Sequence, residues 1–346
     1  MNLQQIEAVC GIARNRYNLS ATAEVLGRSQ SALSRQIKEL ELELGVRLFV
    51  RTRNKVIALT PDGERILRIA QRVLRDLNTL GQIGSDASAD EGGEIRIATT
   101  HVHARYLLPG KIKAFTERFP RIVLSLQQCD PVQCRDLIAA GEVDVGIITM
   151  SQRSSDPIVT IPAYRLPRCV IAPVGHALLR EPKLTLEKLA EYPLIAYPST
   201  FSGRSMVEEA FANVGLKPRI VCSATDADVC KAYVQVGMGV AVLARIAFDP
   251  NFDRGLTAMD AAHLFGPGIL NVVFHKHGFL TRPLESFLAL FAPHIKRSVI
   301  VKAMDGTDID CAAMSRGAPD ARSCRIDVCL AASETSRGAS STEGNP

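Results

Sequence analysis

Two short segments place hydroxyl and imidazole side chains where the chain is expected to enter a helix. Thr-Thr-His-Val-His at residues 99–103 follows an apolar strand, and Ser-Gly-Arg-Ser at residues 202–205 opens a later helix. Helix N-termini offer unpaired N–H groups and partial positive charge to anions, and hydroxyls add further donors. The two segments therefore predict a site for a small anion. Simple helix capping by Thr99 and Thr100 is the alternative, because it would use the same residue types.

Other reactive side chains do not form a catalytic set in the sequence. His101/His103 and His275/His277 have a spacing that can bind a metal from one strand face, but no third ligand with suitable spacing follows either pair. No nucleophile–base pattern stands beside them. Asp226 and Asp228 precede a helix, where capping is the simpler role. The sequence therefore favours a binding protein without a metal, a cofactor or an enzymatic activity.

Charge and composition indicate a polyanion partner for the N-terminal region. The chain has 346 residues and a net charge of +5, which suits two or three domains. Its first 75 residues hold 13 Lys/Arg against 7 Asp/Glu, so the excess of base lies there. No apolar run of membrane length and no signal pattern appear, which predicts a cytoplasmic protein. Nine scattered cysteines without a C-x-x-C motif predict mostly reduced thiols rather than a disulfide framework.

Residues 20–44 have the pattern of two helices joined by a tight turn, with Ser20 and Ser29 as the expected N-caps. On a helical wheel one stripe of the second helix is apolar and faces a core: Leu33, Ile37, Leu40 and Leu44. The opposite face carries Ser31, Arg35 and Lys38. Such a face suits the DNA major groove, although an ordinary helix with a solvated charged face has the same periodicity.

The next segments predict a basic wing and a long helix. Residues 46–60 form two β-prone runs around a basic tip, so the N-terminal region is predicted to be a winged helix-turn-helix. Thr60 and Pro61 begin the following helix. An apolar seam runs along it: Ile66, Ala70, Val73, Leu77 and Leu80. The seam predicts a dimer-forming linker helix, or packing on its own domain, followed by a flexible break over residues 84–93.

From residue 93 onward, strands and helices alternate as in two βαβ-type units, which predicts two Rossmann-like lobes joined by two crossovers. The fold class is therefore α/β with an N-terminal all-α winged helix-turn-helix, a long linker helix and a bilobal domain like the periplasmic binding proteins. The predicted segments are the winged helix-turn-helix 1–59, linker and hinge 60–90, first lobe 91–164 with 268–297, second lobe 165–267, and a disordered tail 298–346.

This order of domains resembles the LysR-type transcriptional regulators over residues 1–297. The family's DNA-binding signature is matched by Ser29-Gln-Ser-Ala-Leu-Ser-Arg-Gln36, by Leu-Glu-x-Glu-Leu-Gly after it, and by Leu48-Phe-x-Arg51. Several further segments resemble the CysB and Cbl regulators of sulfur assimilation: Ile97-Ala-Thr-Thr-His101 with Ala104-Arg-Tyr106, Phe201-Ser-Gly-Arg-Ser205, Pro218-Arg-Ile-Val221 running into Ala224-Thr-Asp-Ala-Asp-Val229, and Phe291-Ala-Pro-His294.

The resemblance implies a DNA-binding regulator that senses a small anionic effector. Residues that would face bases and nearby phosphates are Ser29, Gln30, Ser31, Ser34, Arg35 and Lys38, and wing cations on the DNA backbone are Arg51, Arg53 and Lys55. The expected effector residues are Thr99, Thr100, His103, Thr149, Leu166, Ser202 and Thr225. Expected partners are promoter DNA, RNA polymerase and further copies of the chain in a homodimer or homotetramer.

Three departures from the related regulators affect the choice of effector. Val102 and His103 stand where the relatives usually have Thr and Gln, and Leu166 stands where familiar members have Trp. One hydroxyl donor is lost, an imidazole replaces an amide, and an aromatic wall becomes smaller. Sulfate, thiosulfate, adenosine phosphosulfate and the acetylserines are the candidate effectors. The alternatives are a LysR-type regulator of another pathway that senses a different small acid, and a solute-binding module that does not bind DNA.

Overall fold

The computed structural model describes residues 1–52, 55–86, 93–150, 157–276 and 278–321. The chain divides into two compact units, residues 1–91 with 139–142 and residues 92–138 with 143–346. No helix among the described residues has both the length and the apolar character to cross a membrane.

Three helices with distinct caps build the N-terminal unit: α1 Leu3–Arg14, α2 Leu19–Val25 and α3 Gln30–Leu44. Asn18, and not Ser20 as predicted, caps α2, because its side chain accepts hydrogen bonds from the first-turn N–H groups. Ser29 caps α3 as predicted, and Gly45 ends that helix with a left-handed φ of 69°.

The predicted apolar stripe of α3 is confirmed for three of its four residues. Leu33, Ile37 and Leu40 are at most 1% exposed and pack in one cluster with Ala8, Val9 and Ile12 of α1. Leu44 was wrongly placed in the core and is 37% exposed, because α3 ends at this residue and the chain turns away at Gly45.

A hairpin and a long helix complete this unit. Strands β1 Phe49–Thr52 and β2 Lys55–Leu59 pair antiparallel as the predicted wing. Helix α4 spans Pro61–Asp86, and the Thr60 hydroxyl accepts from the Gly63 N–H at 2.9 Å, as expected of an N-cap. The helix continues through Gly81 and Gly84, where the sequence predicted a break; residues 87–92 of that break lie outside the described part.

The seam of α4 serves its own unit at the start and is open to solvent later. Ala70 is 1% exposed and packs with Ile6 and Cys10 of α1. Farther along, Val73, Leu77 and Leu80 are 37%, 40% and 64% exposed.

The second unit contains two five-stranded sheets. The first has the order β4-β3-β5-β12-β6, and its strands are β3 Gly93–Thr99, β4 Ile122–Gln128, β5 Val145–Thr149, β6 Ile158–Leu166 and β12 Gly268–His275. Strands β4, β3 and β5 are parallel, whereas β12 is antiparallel to both β5 and β6. The helices of this lobe are α5 His101–Tyr106, α6 Leu108–Arg118, α7 Pro131–Ala140 and α11 Arg282–Phe291.

The second sheet has the order β11-β7-β10-β8-β9, with strands β7 Arg168–Pro173, β8 Leu194–Ala196, β9 Ile220–Ser223, β10 Val240–Ala244 and β11 Leu256–Asp260. Its helices are α8 Leu186–Ala190, α9 Ser202–Ala212 and α10 Ala227–Gln235, with short 3-10 turns at Ala177–Arg180 and Arg245–Ala247. Strands β6 and β11 were not predicted. Because Arg165 and Leu166 still pair with β12, the first sheet extends two residues beyond the expected lobe boundary.

The predicted disorder of residues 298–346 is wrong for its first half. Helices α12 Arg297–Met304 and α13 Cys311–Gly317 follow α11, and Ile300 and Met304 are 4% exposed. The Arg165 N–H donates to the Pro319 carbonyl at 2.8 Å, so the segment after α13 covers the outer edge of β6. Residues 322–346 lie outside the described part of the chain.

The cysteines in the described part of the chain match the predicted pattern with one exception. Cys129 and Cys134 form a disulfide across the turn between β4 and α7. Among the other described residues, free thiols occur at Cys10, Cys169, Cys222, Cys230 and Cys311. Burial raises the pKa of the Cys169 thiol to about 12, which keeps it protonated and unreactive.

Candidate functional site

The outward face of α3 carries the residues predicted to meet DNA. Gln30, Ser31, Arg35 and Lys38 are exposed, and Ser34 is half-buried. Ser29 is also exposed, but its hydroxyl accepts from the Ala32 N–H at 3.2 Å and so serves as the helix cap. Arg35 is 77% exposed on its side chain and lies 3.5 Å from Glu39, a surface pair that leaves its guanidinium accessible.

Of the predicted wing cations, Arg51 is partly buried and lies near a carboxylate. The Arg51 side chain is 27% exposed and lies 3.8 Å from Glu41. Glu41 in turn accepts from the Leu48 N–H at 2.8 Å, so Arg51 helps to fix the base of the wing. Arg53 lies outside the described residues, as does the side chain of Lys55.

Six of the seven predicted effector residues line one cavity of about 40 Å³ in the second unit: Thr100, His103, Thr149, Leu166, Ser202 and Thr225. They come from the ends of β3, β5 and β6, from α5, and from the starts of α9 and α10. The parallel strands β3 and β5 end on the same edge of their sheet, which explains how Thr100 and Thr149 meet. Leu166 is 1% exposed and forms part of an apolar wall.

Thr99 is the predicted residue that the cavity excludes. It is completely buried, and its hydroxyl donates to the Ile147 carbonyl at 2.7 Å. Successive side chains of a strand point to opposite faces, so Thr99 and Thr100 point in different directions. Thr99 is buried, and Thr100 follows the end of β3. Thr100 occupies the N-cap position of α5 but makes no side-chain capping bond, so simple capping does not account for its hydroxyl.

His103 is the centre of the hydrogen bonds in the cavity. Its Nδ1 lies 3.0 Å from the Thr100 hydroxyl and 3.2 Å from the Ile147 carbonyl, and its Nε2 lies 3.1 Å from the Thr149 hydroxyl. Burial lowers the pKa of His103 to about 4, and the nearby Arg168 charge acts in the same direction. The imidazole is therefore neutral near pH 7.

The opposite wall is the first turn of α9. No side chain caps this helix. The Arg204 N–H donates to the Phe201 carbonyl at 2.9 Å, which leaves the Ser202 and Gly203 N–H groups for a ligand. The Ser202 hydroxyl lies 3.4 Å from the Thr149 backbone carbonyl, to which it donates across the two lobes.

Two polar residues that line the cavity were missed by sequence analysis. Arg168 is 5% exposed, its Nε has no hydrogen-bond partner, and its guanidinium makes no ion pair with any described residue. Burial lowers its pKa. Tyr197 is 6% exposed, and its hydroxyl also lacks a partner among the described residues. A signal did exist for Arg168, because it begins a strand whose next four residues are all apolar.

Glycines make room for the Arg168 side chain. A Cβ at Gly203 would lie 3.3 Å from the Arg168 Nη1, and one at Gly268 would lie 2.7 Å from its Nη2. The guanidinium therefore lies against the first turn of α9 and the start of β12, and larger residues at these two positions would displace it.

A second charged cluster joins α5 of one lobe to α10 of the other. The Lys231 Nζ lies 2.7 Å from both the Tyr106 hydroxyl and Asp253, 2.8 Å from the Ala247 carbonyl, and 2.9 Å from Asp228. Burial alone would lower the pKa of Lys231, but the hydrogen bonds from these partners outweigh it and raise the pKa.

The acidic residues of this cluster already have partners that compete with a metal ion. His101, Asp226 and Asp228 bring their ligand atoms within 4.8 Å of one another. Asp228 already lies 2.7 Å from Arg105 and 2.9 Å from Lys231, so its negative charge is balanced by two cations. Asp226 accepts from the Asp228 N–H at 2.6 Å and caps α10, as predicted.

Family models match both units. Residues 3–64 match the bacterial regulatory helix-turn-helix protein of the lysR family, and residues 88–296 match the LysR substrate binding domain. The HTH-type transcriptional regulator SsuR of Burkholderia cenocepacia is 41% identical, over 87% of this chain and 97% of its own length. The regulator cbl of Escherichia coli is 40% identical, over 77% of this chain and 84% of its own length.

Solved structures agree with this assignment. The cofactor-binding domain of the Cbl transcriptional regulator superposes with a TM-score of 0.60 at 34% identity, covering 62% of this chain and 95% of that domain. Full-length CbnR in complex with its target DNA has a TM-score of 0.59 at 22% identity over 86% of this chain and 100% of its own, which shows the shared fold. The chain belongs to the LysR-type transcriptional regulators, DNA-binding proteins with a C-terminal effector-binding domain.

Proposed function

We propose that this regulator controls genes of sulfur assimilation in the cytoplasm in response to a small anionic effector bound in the cavity. The carrying observation is the Arg168 guanidinium, which lines the cavity, is 5% exposed and has no anionic partner among the described residues. A buried charge is costly unless it is paired. An anion that enters the cavity would supply the missing partner, so the site favours anions over neutral ligands.

The size of the cavity favours the smaller candidates. One buried water needs roughly 10–15 Å³ on this measure, and the cavity measures about 40 Å³. Sulfate, thiosulfate and an acetylserine are closer to this size than adenosine phosphosulfate, which would require the lobes to separate.

The sulfur pathway is supported by the named relatives. Regulators called SsuR, CysB and cbl are 37–41% identical to this chain over 77–88% of its length. Six of the seven expected effector residues line this cavity, with Val102, His103 and Leu166 as departures from the relatives.

For DNA, we propose that α3 lies in the major groove and that the wing contacts phosphates. The exposed apolar stripe of α4, formed by Ile69, Val73, Leu77 and Leu80, would pair with a second copy, so that residues 60–90 form the dimer linker.

A thermal-shift panel on the full chain tests the effector. A ligand that binds only the folded state raises the melting temperature by mass action. The panel contains sulfate, thiosulfate, adenosine phosphosulfate, O-acetylserine, N-acetylserine and unrelated organic acids. A shift with a sulfur compound or an acetylserine supports the proposal. A shift with unrelated acids alone assigns the regulator to another pathway.

The DNA-reading face is tested by Arg35→Ala. We expect at least about tenfold weaker binding to the operator, since one good base contact contributes about 1–3 kcal/mol, with unchanged effector binding. Lys113→Ala is the matched control, because Lys113 also forms an exposed i,i+4 ion pair at 3.5 Å but lies on α6 of the other unit. If the two variants bound the operator with equal affinity, the assignment of α3 as the recognition helix would be wrong.

A further inference from the structure

The Ile147 carbonyl determines which nitrogen of His103 carries the proton. A carbonyl oxygen can only accept, and it lies 3.2 Å from Nδ1. If Nδ1 were unprotonated, its lone pair would face a lone pair of the Ile147 carbonyl, which is unfavourable. Because His103 is 2% exposed and neutral, a proton on Nδ1 leaves Nε2 as an acceptor.

This tautomer reverses the hydrogen-bonding role of Thr149. Its hydroxyl lies 3.1 Å from Nε2, so it donates its proton to the imidazole. The Thr149 oxygen then offers only lone pairs to a ligand. Ser202 has a similar position, because its hydroxyl donates to the Thr149 carbonyl at 3.4 Å. The Thr100 hydroxyl, by contrast, can accept from Nδ1 and still donate into the cavity.

The cavity therefore has two chemically different sides. Arg168 and the Ser202 and Gly203 N–H groups at the start of α9 form a side that attracts negative charge. On the other side, the Thr149 hydroxyl donates to His103, so its oxygen can only accept a hydrogen bond from a ligand. A fully ionised sulfate or thiosulfate has no proton to give. Such an anion would face the Thr149 lone pairs. Alternatively, it would accept the Thr149 hydrogen bond in place of Nε2, which would leave Nε2 buried without a partner.

We propose that His103 makes this pocket selective for small organic acids that carry a hydroxyl or N–H donor beside the carboxylate, in preference to inorganic sulfate. The carboxylate pairs with Arg168 and the donor reaches the Thr149 oxygen. This inference rests on the proposed effector site and adds the chemical class of its ligand. His103 thus acts through Thr149 as a positioning residue for specificity.

Three small anions on the full chain test the selectivity: glycolate, acetate and sulfate, compared at equal ionic strength by calorimetry. Glycolate differs from acetate by the hydroxyl, and sulfate has charge without a donor. We expect glycolate to bind at least about tenfold more tightly than either of the others, the loss that follows from one unmade buried hydrogen bond.

His103→Gln should reverse the preference. A glutamine amide can donate to the Thr149 oxygen, which frees the Thr149 proton for an anion. The variant is therefore expected to gain affinity for sulfate and to lose the advantage of glycolate over acetate. Thr149→Val keeps the shape of the side chain and removes the acceptor, so it should also abolish the advantage of glycolate over acetate. This second variant covers the case in which His103→Gln does not fold.

The outcomes separate this inference from the proposed function. Sulfate binding to the wild type as tightly as glycolate, or an unchanged preference in both variants, overturns the selectivity while the effector site stands. If Arg168→Gln binds all three anions like the wild type, the anion site itself is misplaced and the proposed function fails with it. A long-range 1H–15N spectrum showing the His103 proton on Nε2 would also overturn the inference.

Discussion

Two buried cations in the effector-binding unit have opposite surroundings. Lys231 and Arg168 are both 5% exposed. Lys231 has the Tyr106 hydroxyl, the Ala247 carbonyl and two carboxylates within 2.9 Å. The Arg168 Nε has no hydrogen-bond partner, and the guanidinium lines a cavity and makes no ion pair with any described residue.

The difference separates a structural charge from a binding charge. A buried charge with all its partners is held in place by the fold, and removing it leaves those partners unpaired. A buried charge without partners makes the free protein less stable and reserves its favourable interactions for a ligand. The degree of internal pairing, rather than burial, distinguishes the two roles.

Loss of Lys231 should give the largest effect. Lys231→Met leaves Asp253, whose side chain is 11% exposed, without its cation. We expect the free energy of unfolding to fall by about 3–5 kcal/mol, the usual result of breaking a buried pair. Urea denaturation measures the change, and Lys113→Met, at a position whose side chain is 70% exposed, should cost less than about 0.5 kcal/mol. Similar values for both variants would mean that the cluster has no structural role.

His103, beside Arg168, should make stability depend on pH. Its pKa is about 4 in the folded chain against an ordinary 6.5. The unfolded chain therefore binds more protons between these values, and stability is full above pH 6.5 and falls as the pH drops to 4. The loss is about 3 kcal/mol by linkage.

A comparison of two variants isolates the contribution of His103 to the pH dependence of stability. His103→Gln should flatten the stability profile between pH 6.5 and 4, whereas His263→Gln, at an exposed position, should keep the wild-type slope. Urea midpoints measured across this range supply the result. Parallel profiles for the wild type and His103→Gln would show that His103 is not held neutral.

Arg168→Met should give the smallest change and the opposite sign to Lys231→Met. Removal of an unpaired buried charge is expected to leave the free energy of unfolding unchanged or to raise it by about 1 kcal/mol. The pKa of His103 should rise, because the Arg168 charge helps to lower it. Denaturation and an NMR titration measure the two effects. A loss of several kcal/mol would indicate that Arg168 has a structural partner and would end the contrast with Lys231.

The sequence predicted most elements because their patterns are local. The apolar residues Leu33, Ile37 and Leu40 recur at the helical period and are buried as expected. Errors arose where a local rule had two solutions: both Asn18 and Ser20 are good caps, and the positions of the helical N–H groups selected Asn18.

Other elements could not be predicted because their stability comes from distant partners. Strand β6 and helix α12 lack a strong pattern, yet β6 pairs with β12 along its length and α12 buries Ile300 and Met304. Tertiary burial outweighs weak local preference in such segments.

The candidate site shows the same division. The residue types alone determined that Thr100, Thr149 and Ser202 would offer hydroxyls near helix and strand ends, since those positions follow from local pattern. Only the tertiary structure decided that Thr99 faces inward, that His103 lies within hydrogen-bond distance of Thr149, and that the Arg168 Nε has no partner in the cavity. Hydrogen-bond direction and pairing of charge depend on which groups meet across the two lobes, and no spacing along the chain encodes that meeting.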